Sequence, residues 1–178
     1  YELAYRMQGC APGAVDVASE SEATKALYGL DEKISEPFGR QCLMARRLVE
    51  RGVRFVQIFA GGVGNQNSDT WDAHDDIKKN QHQHAAETDR PMAGLLTDLK
   101  ARGLLDGTLV LMHSEFGRLA ISHRGLERDH NPGTQQALMA GAAIPGGQAT
   151  RATAAFGCTQ MEDPGPCPHT PPTSPSFL

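Results

Sequence analysis

The chain has 178 residues, 39% of them hydrophobic and 21% charged, which is enough apolar material for one globular α/β-sized domain with a real core. A formal net charge of −4 offers no phosphate-neutralising surface, so nucleic acid is excluded as a main partner. No apolar run approaches the roughly 20 residues that cross a bilayer, so no membrane span is expected. The opening Tyr1-Glu2-Leu3-Ala4-Tyr5 carries no charged-then-apolar leader and reads as a processed or truncated beginning.

In chain order, residues 1 to 18 contain Gly9, Pro12 and Gly13 and read as a loop or docked extension. Ser19-Glu20-Ser21-Glu22 places acidic residues in the first turn of a short helix that stops near Gly29. A second helix is predicted from Glu36 to Arg51, with Pro37 tolerated in its first turn and Gly52 as its C-terminal cap. Its core stripe is Cys42, Leu43, Leu48 and Val49. Val53 to Phe59 is the clearest strand in the chain, rich in β-branched and aromatic residues. A glycine-rich loop, residues 61 to 67, leaves it. The spacing of Met92, Leu95, Leu96 and Leu99 predicts a long helix from about Gln81 to Arg102, ended by Gly103. A second strand follows at Thr108 to Met112.

Helix, strand, loop, helix, strand is the order of a layered α/β domain with at least partly parallel strands. Such sheets put their chemistry in loops beyond the carboxyl ends of strands. Both predicted strands here lead into segments dense in His, Asp and Glu. After Gly157 the pattern ends, and six of the eleven prolines fall between Pro164 and Pro175. The domain is therefore drawn over residues 1–150, with 151–178 a proline-rich tail expected to be mobile.

Three segments carry candidate chemistry. In Asp72-Ala73-His74, extended backbone puts positions i and i+2 on one side, so a carboxylate and an imidazole can converge on one cation. Asp75 and Asp76 could orient that imidazole, or this could be a polar loop whose aspartates cap the next helix. Glu115 lies just past the second strand, where a carboxylate can be a ligand or act on substrate, and Arg118 could grip an anionic oxygen. A surface Glu–Arg pair is the alternative there. His130, in Arg128-Asp129-His130-Asn131-Pro132, is either a surface histidine or the residue that completes an Asp, His, His set. Such nitrogen and oxygen ligands suit a divalent metal, zinc by type.

Other features carry less. His82 and His84 point in different directions if their helix has begun and are read as surface residues. His113 and His123 flank the site as possible outer groups, and His169 falls in the tail. Cys10, Cys42, Cys158 and Cys167 form no C-x-x-C pair and read as free thiols. No G-x-S-x-G elbow supports a serine esterase.

Taken together, Phe38-Gly39-Arg40-Gln41-Cys42, Trp71-Asp72-Ala73-His74, Asp89-Arg90-Pro91, Glu115-Phe116-Gly117-Arg118 and Arg128-Asp129-His130-Asn131-Pro132 resemble an uncharacterised sulfatase-like family of the alkaline phosphatase superfamily. The resemblance implies a three-layer α/β/α sandwich, incomplete at its N-terminal side, because the nucleophile and first metal carboxylate would precede this sequence. It implies a metal centre of Asp72, His74, Glu115 and His130, with Glu115 and Arg118 acting on a small anionic phosphate or sulfate ester. It also suggests an exported or periplasmic protein. The competing expectation is a catalytically silent metal-binding or scaffold fragment. A truncated sheet would expose strand edges, so self-association is expected as well.

Overall fold

The computed structural model describes residues 13–61, 70–114, 116–120 and 125–149. The tail drawn at 151–178, the loop at 62–69, Glu115 and His123 lie outside the described residues.

The helices follow from local capping and packing. Ser21 accepts a hydrogen bond from Thr24 N at 3.1 Å and starts α1 (Glu22–Leu27). Gly29 takes the left-handed conformation, φ 72°, just beyond α1. The second helix, α2 (Glu36–Glu50), has Pro37 in its first turn and Gly52 beyond its end at φ 84°, as its sequence predicts. Cys42 and Leu43 are buried, whereas Leu48 and Val49 are only half-buried. The long helix α3 (Ile77–Ala101) begins a turn earlier than its apolar periodicity suggests. Asp76 accepts from Lys79 N at 3.0 Å and provides the cap.

Chain and helices close around Tyr28. It is fully buried with Val17, Cys42 and Leu43, and Leu30, Phe38, Met44, Ile58 and Leu95 pack around this cluster. The backbone at Leu27–Tyr28 runs between two glycines. A Cβ on Gly39 would sit 2.2 Å from the Tyr28 carbonyl oxygen, and one on Gly94 would sit 2.5 Å from that of Leu27. Only glycine allows both helices to approach so closely.

A buried charge network joins the same elements. Arg46 is 1% exposed and makes ion-pair contacts with Glu20 at 2.8 Å, Glu50 at 2.7 Å and Asp98 at 2.9 Å. Asp98 also accepts from Tyr28 Oη at 3.0 Å and from Arg102 Nε at 2.7 Å. Burial, reinforced by the Asp98 charge, raises the Tyr28 hydroxyl far above the usual tyrosine range. One carboxylate thus ties α2, α3 and the turn after α1 together.

The sheet departs from expectation. The segment from Val53 to Phe59 is not a strand, and Phe55 and Phe59 are 81% and 73% exposed. Its composition suits a pleated surface, but a strand exists only with a partner, and none pairs with it among the described residues. The second predicted strand is present, shifted slightly, as β1 (Val110–His113). It pairs antiparallel with β4 (Ala137–Ala140), Val110 opposite Ala140 and His113 opposite Ala137. Between them β2 (Gly117–Arg118) and β3 (His130–Asn131) form a second antiparallel pair, with Arg118 opposite His130.

The architecture is thus a mixture of helices and small antiparallel sheets, with no three-layer sandwich and no parallel pairing among the described residues. A parallel pair needs a neighbour for residues 53–59, whereas β1 and β4 meet as two arms of one excursion. No helix among the described residues is long and apolar enough to cross a membrane.

Candidate metal centre

Two pieces of chain meet at the site. The first, Trp71 to His74, is the approach to α3. Asn80 of that helix holds it by donating to the Thr70 carbonyl at 2.8 Å, and Thr70 Oγ1 accepts from Asp72 N at 3.3 Å. Ala73 is buried, which turns Asp72 and His74 to the same side. The second piece is the β2–β3 ribbon, whose register sets Arg118 beside His130. Ile77 N donates to the Leu126 carbonyl at 3.1 Å and joins the two pieces.

Asp72 is the centre of the cluster. Its Oδ2 lies 2.8 Å from His74 Nε2, and its Oδ1 lies 2.7 Å from His130 Nε2. Arg118 donates through one terminal nitrogen to Asp72 Oδ1 at 2.5 Å and through the other to the Arg128 carbonyl at 2.9 Å. Partial burial pushes the Asp72 carboxyl up, but hydrogen bonds from His130, His74 and Arg118 outweigh it and hold the group well below the usual carboxylate range. Asp72 is therefore a carboxylate at neutral pH, the form that binds metal.

One ligand atom from each of Asp72, His74 and His130 lies within 4.8 Å of the other two. The fit to zinc can be tested on these distances. Zinc bonds of about 2.0–2.1 Å in a tetrahedron separate ligand atoms by roughly 3.3 Å. The two N···O contacts at 2.7 and 2.8 Å would open by about half an ångström, which side-chain rotation supplies. Each imidazole would give up the proton it shares with Asp72, so a cation would replace two hydrogen bonds. The set is three-sided and partly exposed, leaving room for another ligand.

Of the residues expected at the site, Asp72, His74, His130 and Arg118 come together; Glu115 lies outside the described residues. Asp76 is the helix cap and not an orienting acceptor for His74. His113 ends β1 with its Nδ1 3.3 Å from the Ser114 carbonyl. His82 is exposed as expected, but His84 is not a surface residue. It is 1% exposed, packed against Trp71 with ring centroids 5.3 Å apart.

Two contributors were missed in the sequence. Glu127 is 4% exposed and reaches to 4.0 Å from His74 Nδ1, the nitrogen turned away from Asp72. Phe116 stacks at 4.4 Å on His130 and limits its rotation. Glu127 directly precedes the Arg128–Pro132 motif and Phe116 lies within the Glu115–Arg118 motif, yet nothing in spacing alone distinguishes them from surface neighbours.

One carboxylate, two imidazoles and an arginine thus meet in a single partly exposed cluster. The chain belongs to the family described as protein of unknown function (DUF1501), which matches residues 1–169. That finding corrects the resemblance drawn from the motifs. The matching family is a distinct domain of unknown function, and nothing in it points to the sulfatases or alkaline phosphatases. No curated protein and no solved structure matches the chain.

Proposed function

We propose that Asp72, His74 and His130 hold a divalent cation, zinc by ligand type, and that the site hydrolyses small anionic phosphate or sulfate esters. The observation that carries this reading is the convergence of the three ligand atoms, from segments 58 residues apart in the chain, within 4.8 Å. A bound cation would supply Lewis-acid polarisation of an ester oxygen. Arg118 would bind the anion. Two of the guanidinium's five N–H donors are used in the contacts to Asp72 and Arg128, and among the described residues the others have no partner that would compete with a substrate oxygen. His130, braced by Phe116, and His74, backed by Glu127, would keep their nitrogens aimed at the same point.

A second reading has its own support. Asp72 already has three partners, so the cluster satisfies itself and could serve as a catalytically silent, metal-binding node between the α3 approach and the β2–β3 ribbon. Elemental analysis of purified protein, beside a His74→Ala, His130→Ala variant, tests the site itself. Roughly stoichiometric zinc that the variant loses supports both readings. Turnover of aryl phosphates or sulfates by the zinc-loaded protein, lost in Arg118→Ala, selects the hydrolase. Bound zinc without turnover selects the silent node, and no zinc after supplementation refutes both.

A further inference from the structure

Arg118 has spare N–H donors but no spare charge. One of its terminal nitrogens lies 2.5 Å from Asp72 Oδ1, and its side chain is 23% exposed, so water screens the pair only in part. Glu127 adds a second, buried carboxylate behind His74. In the cation-free protein an incoming anion therefore meets a guanidinium whose charge is already neutralised, with another negative group close by. That arrangement does not attract anions.

The oxygen that neutralises Arg118 is also one that a cation would take. Asp72 Oδ1 lies 2.7 Å from His130 Nε2. A cation bonded to both atoms replaces that hydrogen bond. With bonds of about 2.0–2.2 Å it comes within about 5 Å of the Arg118 nitrogen. Two positive charges then compete for one carboxylate oxygen and repel each other across a partly buried site. Arg118 has a second anchor that the cation does not touch, because its other terminal nitrogen donates to the Arg128 carbonyl at 2.9 Å. The guanidinium therefore stays beside the site when Asp72 is taken from it.

Given the cation site proposed above, on which this rests, we infer that Arg118 is a charge gate. Arg118 and the cation compete for Asp72, and the anion site opens only when the cation holds that carboxylate. The ligand that then fits is a tetrahedral oxyanion, sulfate or a phosphate group, with one oxygen toward the cation and another on the released guanidinium. Linkage requires the anion to tighten cation binding by the same factor. An arginine that merely braces Asp72 predicts the reverse, since its removal would loosen the ligand and weaken the cation.

Inorganic sulfate and zinc, titrated at constant ionic strength, test the gate without any turnover. By calorimetry, sulfate should bind zinc-loaded protein at least about fivefold more tightly than zinc-free protein, and saturating sulfate should raise zinc affinity equally in a chelator competition. Arg118→Gln, without sulfate, should bind zinc about two- to fivefold more tightly than the parent, the factor that a partly exposed ion pair contributes. Asp72→Asn should bind sulfate more tightly than the parent when both are zinc-free, because it releases the guanidinium without a cation. This second variant keeps the test valid should Arg118→Gln fail to fold. Zinc affinity indifferent to sulfate, weaker zinc binding by folded Arg118→Gln, or sulfate binding unchanged in Asp72→Asn would each overturn the gate and leave the metal site standing. No zinc binding by the parent overturns both.

Discussion

Replacing Asp98 with asparagine keeps the volume of the side chain and removes its charge from the centre of the helical half. Asp98 faces Arg46, which is 1% exposed, and also receives Tyr28 Oη and Arg102 Nε. Breaking a buried ion pair from one side costs about 3–5 kcal/mol, because the partner charge stays buried. Arg46 keeps Glu20 and Glu50, and the new amide still offers an oxygen, so the low end, about 3 kcal/mol, is expected. Against a total stability of about 5–15 kcal/mol that is a large fraction. With a urea slope of about 1–3 kcal/mol/M, the unfolding midpoint followed by circular dichroism should fall by about 1–3 M at unchanged slope. Asp106→Asn, at an exposed site, is the control and should stay within about 0.5 kcal/mol of the parent. If Asp98→Asn unfolds with the control, Asp98 does not hold Arg46 in solution and the account of the core fails.

Three further outcomes follow from the same geometry. Glu127→Gln should lower zinc affinity by about 10- to 100-fold in a chelator competition while leaving the fold intact, as loss of an orienting carboxylate does elsewhere; unchanged affinity would remove Glu127 from the site. Asp72 is held below its unfolded value of about 3.9, so its contribution to stability is present above that pH and is lost as pH falls toward the lower native value. The stability advantage of the metal-free parent over Asp72→Asn should therefore shrink between about pH 5 and pH 2.5, and an equal gap at both would contradict the assigned contacts. Leu111, Met112, Leu138 and Met139 are 40–50% exposed on the β1–β4 pair, so the chain should self-associate in light scattering, less so as Leu138→Lys, Met139→Lys; a clean parent monomer would end that expectation.

Helix positions were legible because their causes are local. Pro37, Gly52 and Gly103 act on adjacent backbone, and apolar spacing announces α3 as a helix, although of Met92, Leu95, Leu96 and Leu99 only Leu99 is fully buried. The grouping of Asp72, His74 and His130, three of the four residues singled out as candidate ligands, could be anticipated for a related reason. Short i, i+2 spacing and a polar turn before Asn131-Pro132 limit what those side chains can do. The strand at residues 53–59 failed because pairing is not local. β-branched composition reports a willingness to pair, and the partner must come from elsewhere.

Sequence by itself marked where the helices lie to within a turn, the glycines that end them, and Asp72, His74 and His130 as residues to watch. Only the tertiary structure decided that β1 would run antiparallel to β4, that Glu127 would lie behind His74, and that His84 would be buried under Trp71. These depend on contacts between segments far apart in the chain. No residue's own chemistry encodes who its distant neighbour will be, and packing settles it by burying what fits.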